Sequence, residues 1–221
     1  MIRPLLTAGL EYILAYLVFK YGKTHKNIIA LVLFFLASYQ LGEVLVFLTN
    51  GEQFAFKVAY VSTTMLPPLG VLLVSKIINK RIGYLLFQSI ALIFVGFIIW
   101  TPQVVLQFEL GQYCVRIFEY NPILAQFWIY YYQGTLVFTM LAMLIGFLLI
   151  SKKDVKEKLK WMFIAYMSFD GLAIILAYFN PWFGPSIASL MCALAIFAAI
   201  IFARISLPKN LNELTAFWYP H

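Results

Sequence analysis

The chain has 221 residues, 63% of them hydrophobic and 11% charged, and 16 Lys and Arg outweigh 9 Asp and Glu to give a net charge of +7. Soluble domains carry charge on about a quarter of their residues, so this composition excludes a water-soluble fold and leaves no room for a separate soluble catalytic domain. The positive charge does not point to nucleic acid, because the basic residues sit in short connections between apolar runs, where membrane topology signals belong.

Seven apolar segments approach the roughly 20 residues a helix needs to cross a bilayer. They are predicted at Pro4–Lys20, Asn27–Thr49, Gln53–Ile78, Ile82–Trp100, Ile123–Ile150, Leu159–Phe179 and Gly184–Ile205. Lipid offers no hydrogen-bond partners, so spans of this kind must be helices. The expectation is an all-α membrane protein: a seven-transmembrane bundle over residues 1–207, then a cytoplasmic or interfacial tail over 208–221 that begins at the helix-stopping Pro208. Glu11 interrupts the first apolar run and no small-x-small cleavage site follows it, so this run reads as a retained helix rather than a signal peptide.

Loops one, three and five and the C-terminal tail hold thirteen of the sixteen basic residues, among them Lys23, Lys76, Lys80, Arg81, Lys152, Lys153 and Arg204. The N-terminus and the even loops hold only Arg3 and Arg116, and Lys57 lies inside the third span. This bias predicts an N-terminus outside and a cytoplasmic C-terminus. Loop four is the one long connection. Its segment "VVLQFELGQYCVRIF" alternates apolar and polar residues around Gly111-Gln112, which predicts a small outer β-hairpin closed by a two-residue type II′ turn. Trp100, Trp182 and Tyr120 at one interface and Tyr21 and Trp161 at the other read as an ordinary aromatic belt. Cys114 and Cys192 lie in the long loop and deep in the last apolar run, so no disulfide is expected.

Four ionisable residues fall within spans and away from the basic ends: Glu11, Glu43, Lys57 and Asp170. Reckoned from the outer helix ends at about 1.5 Å per residue, all four lie roughly 6 to 13 Å deep, in one layer of the outer half. Charges are expelled from lipid, so they are expected to face the bundle interior and meet one another or water. With one base against three acids, burial would leave at least one acid neutral. Tyr39 and Gln40 lie about one turn from Glu43, Tyr60 and Thr64 continue the Lys57 stripe, and Tyr166 precedes Asp170 by one turn. Gln126, Tyr130 and Gln133 share one face of the fifth helix. Together these residues predict an outward-facing ligand pocket contacted by Glu11, Tyr39, Gln40, Glu43, Lys57, Tyr60, Thr64 and Asp170. The competing reading makes them buried polar pairs that only fix helix packing. Pro67 and Pro68 remove two helix hydrogen bonds and free the carbonyls of Thr63 and Thr64, predicting a kink that is either a hinge below the pocket or a packing feature.

Several chemistries lack their residues. His25 and His221 are the only histidines, no Lys occurs in the seventh helix for a retinal Schiff base, and there is no phosphate-cradling loop or GxSxG elbow. No metal, cofactor or enzymatic activity is expected.

The segments "GEQFAFKVAYVSTTMLPPLGVLLVSKI", "FEYNPILAQFWIYYYQGTLVF" and "FGPSIASLMCALAIFAAIIFARI" give the chain a layout that resembles the seven-transmembrane N-terminal sensory module of bacterial histidine kinases and cyclic-dinucleotide signalling enzymes. The resemblance covers nearly the whole chain. It implies signal reception on the outer side, transmission through the last helix and residence in the bacterial cytoplasmic membrane. No kinase or cyclase follows Arg204, so the expected partner is a cytoplasmic signalling protein or an output domain removed from the chain. A second resemblance is to 3+1+3 carriers: Gly42-Glu43 and Asp170-Gly171 on the second and sixth helices are each followed by an Asn, Asn50 and Asn180. On that reading the acids are proton or cation sites for a polar solute. Ala193, Ala195, Ala198 and Ala199 on the seventh helix would allow close packing in a homodimer.

Overall fold

A computed structural model describes residues 2–110, 115–172, 175, 179 and 187–207; the side chains of Ile2, Arg3, Arg116, Asp170 and residues 187–193 are outside that description. The tail from 208 onward, Cys114 and Trp182 lie outside the described residues. The fold is predominantly helical. Its elements run α1 (Ile2–Tyr21), α2 (Lys26–Leu48), α3 (Gln53–Ile78), α4 (Tyr84–Trp100), strands β1 (Val105–Leu110) and β2 (Val115–Tyr120), α5 (Pro122–Leu149), α6 (Lys153–Tyr166), a π-helical turn over Met167–Gly171, and α7 (Ile187–Ser206). Three of these helices, α2, α3 and α5, are long and apolar enough to cross a membrane, and α4 is apolar but shorter.

Local chemistry explains the helix ends. Asn121 caps α5: its side-chain oxygen accepts from the Leu124 N–H at 3.3 Å, and Pro122 occupies the first turn, where its missing N–H costs nothing. The sixth helix starts earlier than Leu159. Asp154 stands in its first turn and forms a 2.8 Å ion pair with Lys158 one turn on, so the polar stretch "KDVKEKLK" is itself helical. α3 continues as one helix through Pro67 and Pro68.

α3 lies at the centre, packed against α2, α4, α5 and α6, and α2 lies between α1 and α3 and also touches α7. The α2–α3 crossing is close at Gly42, where an added Cβ would lie 2.7 Å from the Ala59 nitrogen. A large apolar core built on Leu33, Leu36, Leu69, Leu73, Met162 and Ala199 fills most of the bundle. A second cluster at the hairpin end gathers Val46, Phe56, Ile98, Val105, Ile117 and Leu124. Large apolar side chains point outward along α1, α4 and α5, for example Leu6, Ile13, Ile93, Leu141 and Leu148, as expected of surfaces that meet lipid. The alanines of α7 do not: Ala195, Ala198 and Ala199 are 0%, 3% and 0% exposed, and are used inside the bundle rather than on a free face.

The two strands pair antiparallel, with an irregular register around Gln107. Leu110 pairs with Val115 rather than with Tyr113, the partner that a two-residue turn at Gly111-Gln112 requires; residues 111–114 themselves lie outside the described residues. This register corrects the two-residue turn expected at Gly111-Gln112.

The opposite end of the bundle is basic. The Lys23 N–H and the Thr24 hydroxyl donate to the Ser206 and Ile205 carbonyls, each at 2.9 Å, which satisfies backbone acceptors that the end of α7 would otherwise leave open. Arg204 stacks on the Trp161 ring at 4.6 Å. His25 precedes α2 with φ 51°, in the left-handed region. It titrates below its ordinary value of 6.5 because it is partly buried, and Lys158 and Lys76 lower it further against the opposing effect of Asp154. These neighbours bring loops one, three and five to one end.

Two outcomes follow from this packing. Gly42→Ala forces α2 away from Ala59 and is expected to cost about 1 to 3 kcal/mol, read as a lower thermal midpoint in detergent. His25 binds its proton less readily folded than unfolded, so its contribution to stability is full above pH 6.5 and is lost as pH falls through the lowered folded value. His25→Asn, which tolerates the same backbone angle, should therefore reduce the loss of thermal stability between neutral and mildly acidic pH.

Candidate functional site

A cavity of about 260 Å³ lies beneath the hairpin, between α2, α3 and α5. Helix spacing explains which residues reach it. Tyr39, Glu43 and Val46 succeed one another at three- and four-residue steps and present one face of α2. Phe56, Ala59, Tyr60 and Thr63 do the same on α3. Val115, Ile117 and Tyr120 of β2 form the roof, and Leu124, Ala125, Trp128, Ile129, Tyr132 and Gln133 form the α5 wall.

The aromatic rings are held by one another and by α3. Trp128 stacks on Tyr132 at 4.9 Å and meets Tyr60 edge-on at 5.2 Å, and Tyr60 meets Tyr120 edge-on at 6.1 Å. Thr64 joins α3 to α5 just below. Its hydroxyl donates to the Tyr60 carbonyl at 2.6 Å and accepts from the Trp128 indole N–H at 2.8 Å. Its carbonyl, freed from the helix ladder by Pro68, accepts from the Tyr131 hydroxyl at 3.0 Å. Burial raises the Tyr120 hydroxyl above its ordinary value of 10, outweighing its hydrogen bond with Tyr60, so it is a neutral phenol at physiological pH.

The hairpin is fastened by Gln53 in the first turn of α3. Its amide nitrogen donates to the Val105 carbonyl at 2.8 Å, and its carbonyl oxygen accepts from the Val104 N–H at 2.9 Å. The side chain thus substitutes for a neighbouring strand. Phe108 lies over Gly51 so closely that a side chain there would enter its ring, and it meets Phe56 edge-on at 5.1 Å.

The expected ligand contacts separate into several environments. Tyr39, Glu43 and Tyr60 line the cavity, and Thr64 underpins its wall. Glu11 and Gln40 are both 0% exposed and lie apart from it, in the α1–α2 interface, where the Gln40 amide donates to Glu11 Oε1 at 2.9 Å. Lys57 Nζ donates to the Ile99 carbonyl at 2.9 Å, on the α4 side of α3. Among the described side chains, Glu11, Glu43 and Lys57 therefore do not meet in one recess. Glu11 and Lys57 each use a polar group that a neighbouring helix offers, which is less costly than gathering charges at low dielectric. Asp170 sits on the π-helical turn, and its side chain lies outside the described residues.

Two further sequence expectations are corrected here. Gln126 and Tyr130 face outward, Tyr130 being 72% exposed, and only Gln133 of that stripe reaches the cavity. Tyr120 is a roof residue and not a plain interfacial anchor. The apolar and aromatic stripe Leu124, Trp128 and Tyr132, at four-residue spacing, was the signal in α5 that marks the inward face. Gln53 carries no signal of its role, since its partners lie about fifty residues away in the hairpin. Among the described residues no group of His, Cys, Asp and Glu is set to hold a metal ion.

No protein-family model matches the chain, and no curated protein matches it.

Removing the Gln53 clamp is expected to loosen the roof. Gln53→Ala leaves the Val104 N–H without that acceptor and should speed hydrogen exchange at Val104 and Val105 by roughly five- to a hundredfold, since a lost buried partner costs about 1 to 3 kcal/mol. Exchange at α6 amides should be unchanged.

Proposed function

We propose that the chain is a seven-helix membrane receptor or sensor module that binds a small ligand in the cavity under the hairpin and signals through α7. The carrying observation is the cavity: a space of about 260 Å³ with an aromatic wall, a strand for a roof and, among the described residues, one acidic side chain. Its volume stands near the lower edge of the roughly 300 to 1,000 Å³ usual for ligand pockets. In this reading the hairpin end faces outward and the lysine-rich end is cytoplasmic, as the charge bias favours. The bacterial cytoplasmic membrane is the proposed location, and a cytoplasmic signalling protein or fused output domain the proposed partner.

The floor supports a receptor over a carrier. Tyr132 separates the cavity from a second void of about 40 Å³. Leu36, Leu66, Leu136 and Phe202 surround that lower space, and no charged side chain lines it among the described residues. Tyr132 and Tyr166 are the only polar side chains on its described wall, and a charged solute meets no counter-charge there among the described residues. Output through α7 would use its ties to loop one and to Trp161. A ligand favouring one α7 position shifts the population by its difference in affinity for the two states.

The test uses small aromatic fragments, screened by saturation-transfer NMR against the chain in nanodiscs, with empty discs as reference. Fragments should bind the natural chain and lose binding in Ala125→Phe, which fills the cavity. The same fragments should not be moved across proteoliposomes. Fragment uptake abolished by Ala125→Phe would instead make the protein a carrier, and binding indifferent to that substitution would reduce the cavity to a packing defect.

A further inference from the structure

We propose that Glu11 and Gln40 form a proton-binding site between α1 and α2, in which a protonated Glu11 carboxyl donates to the Gln40 amide oxygen and closes a reciprocal acid–amide pair. The site is separate from the cavity under the hairpin and does not depend on the receptor reading. Both residues are 0% exposed. The Gln40 amide nitrogen donates to Glu11 Oε1 at 2.9 Å. Two further buried atoms of the same pair, Glu11 Oε2 and Gln40 Oε1, have no hydrogen-bond partner among the described residues. An ionised carboxylate only accepts hydrogen bonds, and so does an amide oxygen, so neither can satisfy the other. One proton on Oε2 makes the carboxyl both donor and acceptor, which matches the donor and acceptor of the amide. The same proton removes a charge from a site with no water to solvate it.

The elements packed around Glu11 supply no cation in place of the proton. α1 packs on α2 and α7. On α2, Glu43 stands one turn beyond Gln40 and lines the cavity, as does Tyr39. The Ser38 hydroxyl lies 3.0 Å from the Tyr12 hydroxyl, at the neighbouring step of the same interface. On α1, Lys20 is roughly 13 Å along the helix from Glu11 and lies over the Tyr16 and Tyr21 rings at 5.7 and 5.1 Å. Arg204 is the one charged residue among the described side chains of α7, and it stacks on Trp161 at the basic end. The outer turns of α7 carry Cys192, whose side chain lies outside the described residues. Asp170 stands on the π-helical turn, which packs on α6 and α7. Lys57 is engaged with the Ile99 carbonyl. A divalent metal ion needs about six oxygens, and the pair leaves two. The proton is taken from water and returns to water. Its release leaves a carboxylate beside an amide oxygen of like partial charge, which weakens the α1–α2 contact and makes α1 the proton-sensitive element of the bundle.

Infrared spectroscopy of the full chain in nanodiscs tests the site. At neutral pH the natural chain should show the carbonyl band of a protonated carboxyl group. Glu11→Gln, the neutral isostere of the protonated acid, should fold and remove that band. Gln40→Leu should keep the band but move it to higher frequency, because the amide donor is gone. If Glu11→Gln does not fold, the shift in Gln40→Leu identifies the band by itself. Hydrogen exchange then reads the coupling. Corrected for intrinsic exchange rates, the α1 amides around Glu11 should lose about tenfold of their protection from mildly acidic to alkaline pH, the change one proton supplies over one pH unit. In Glu11→Gln their protection should not depend on pH. Absence of a protonated-carboxyl band at neutral pH overturns the proposal, because Glu11 is then ionised. A band that neither substitution alters also overturns it, because the proton then sits on another residue. Protection of α1 that is the same at both pH values in the natural chain overturns the role given to that helix.

Discussion

The close crossing of α2 over α3 at Gly42 and Ala59 is the constraint on which the rest of the site depends. Because an added Cβ would lie 2.7 Å from the Ala59 nitrogen, the two backbones can approach only with glycine at that position. That approach places Tyr39 and Glu43 on one side of a gap and Tyr60 and Thr63 on the other. A small residue at a helix crossing is a common solution where van der Waals contact must supply the association energy. Here it also sets the width of a cavity. α5 completes the enclosure because Thr64 gives it two hydrogen-bond partners at one level, the hydroxyl for Trp128 and the carbonyl for Tyr131. The double proline thus has a concrete consequence: a carbonyl released from the α3 ladder is used to fasten a neighbouring helix.

The polar residues of the interior show how a largely apolar chain carries ionisable groups. Glu11 is set against Gln40, Lys57 against a main-chain carbonyl at the end of α4, and Glu43 against the cavity. These are separate arrangements on different helix pairs. A shared charge cluster would require several groups to be desolvated together, with few partners for each. Distributing them gives Glu11 and Lys57 each a local partner and places Glu43 on the described wall of the space a ligand could occupy. That distribution, more than the number of charged residues, gives the site its chemical character.

The two ends of the bundle differ in the kind of contact they make. At the hairpin end a strand pair is clamped by Gln53 and packed on Phe56. At the lysine-rich end, loop one closes the last turn of α7 through Lys23 and Thr24, and Arg204 lies on Trp161 of α6. α7 is thus tied at that end to the loop between α1 and α2 and to α6. Between the two lies the apolar core.

Much of the helical layout is legible in the residues themselves, because length and apolar content alone decide whether a segment needs a helix in lipid. The predicted start and end of α3 coincide with those observed, and α2 and α5 differ by one residue at each end. Two antiparallel strands in the long connection follow from the alternation around Gly111, although the pairing of Leu110 with Val115 required a partner strand to define it. The start of α6 at Lys153 was hidden because its first turns are polar, and its stability there comes from Asp154 and Lys158. In the site, Tyr39, Glu43 and Tyr60 could be picked out by type and spacing. Glu11, Gln40 and Lys57 could not be separated from them, since depth along a helix says nothing about which neighbour a side chain faces. Composition and periodicity by themselves determined that this chain makes apolar helices with a basic and a less basic end. Only tertiary structure decided which faces turn inward, that an aromatic stripe rather than a polar one lines α5, and that Gln53 holds the roof, because those outcomes depend on helix rotation and on contacts between residues far apart in the chain.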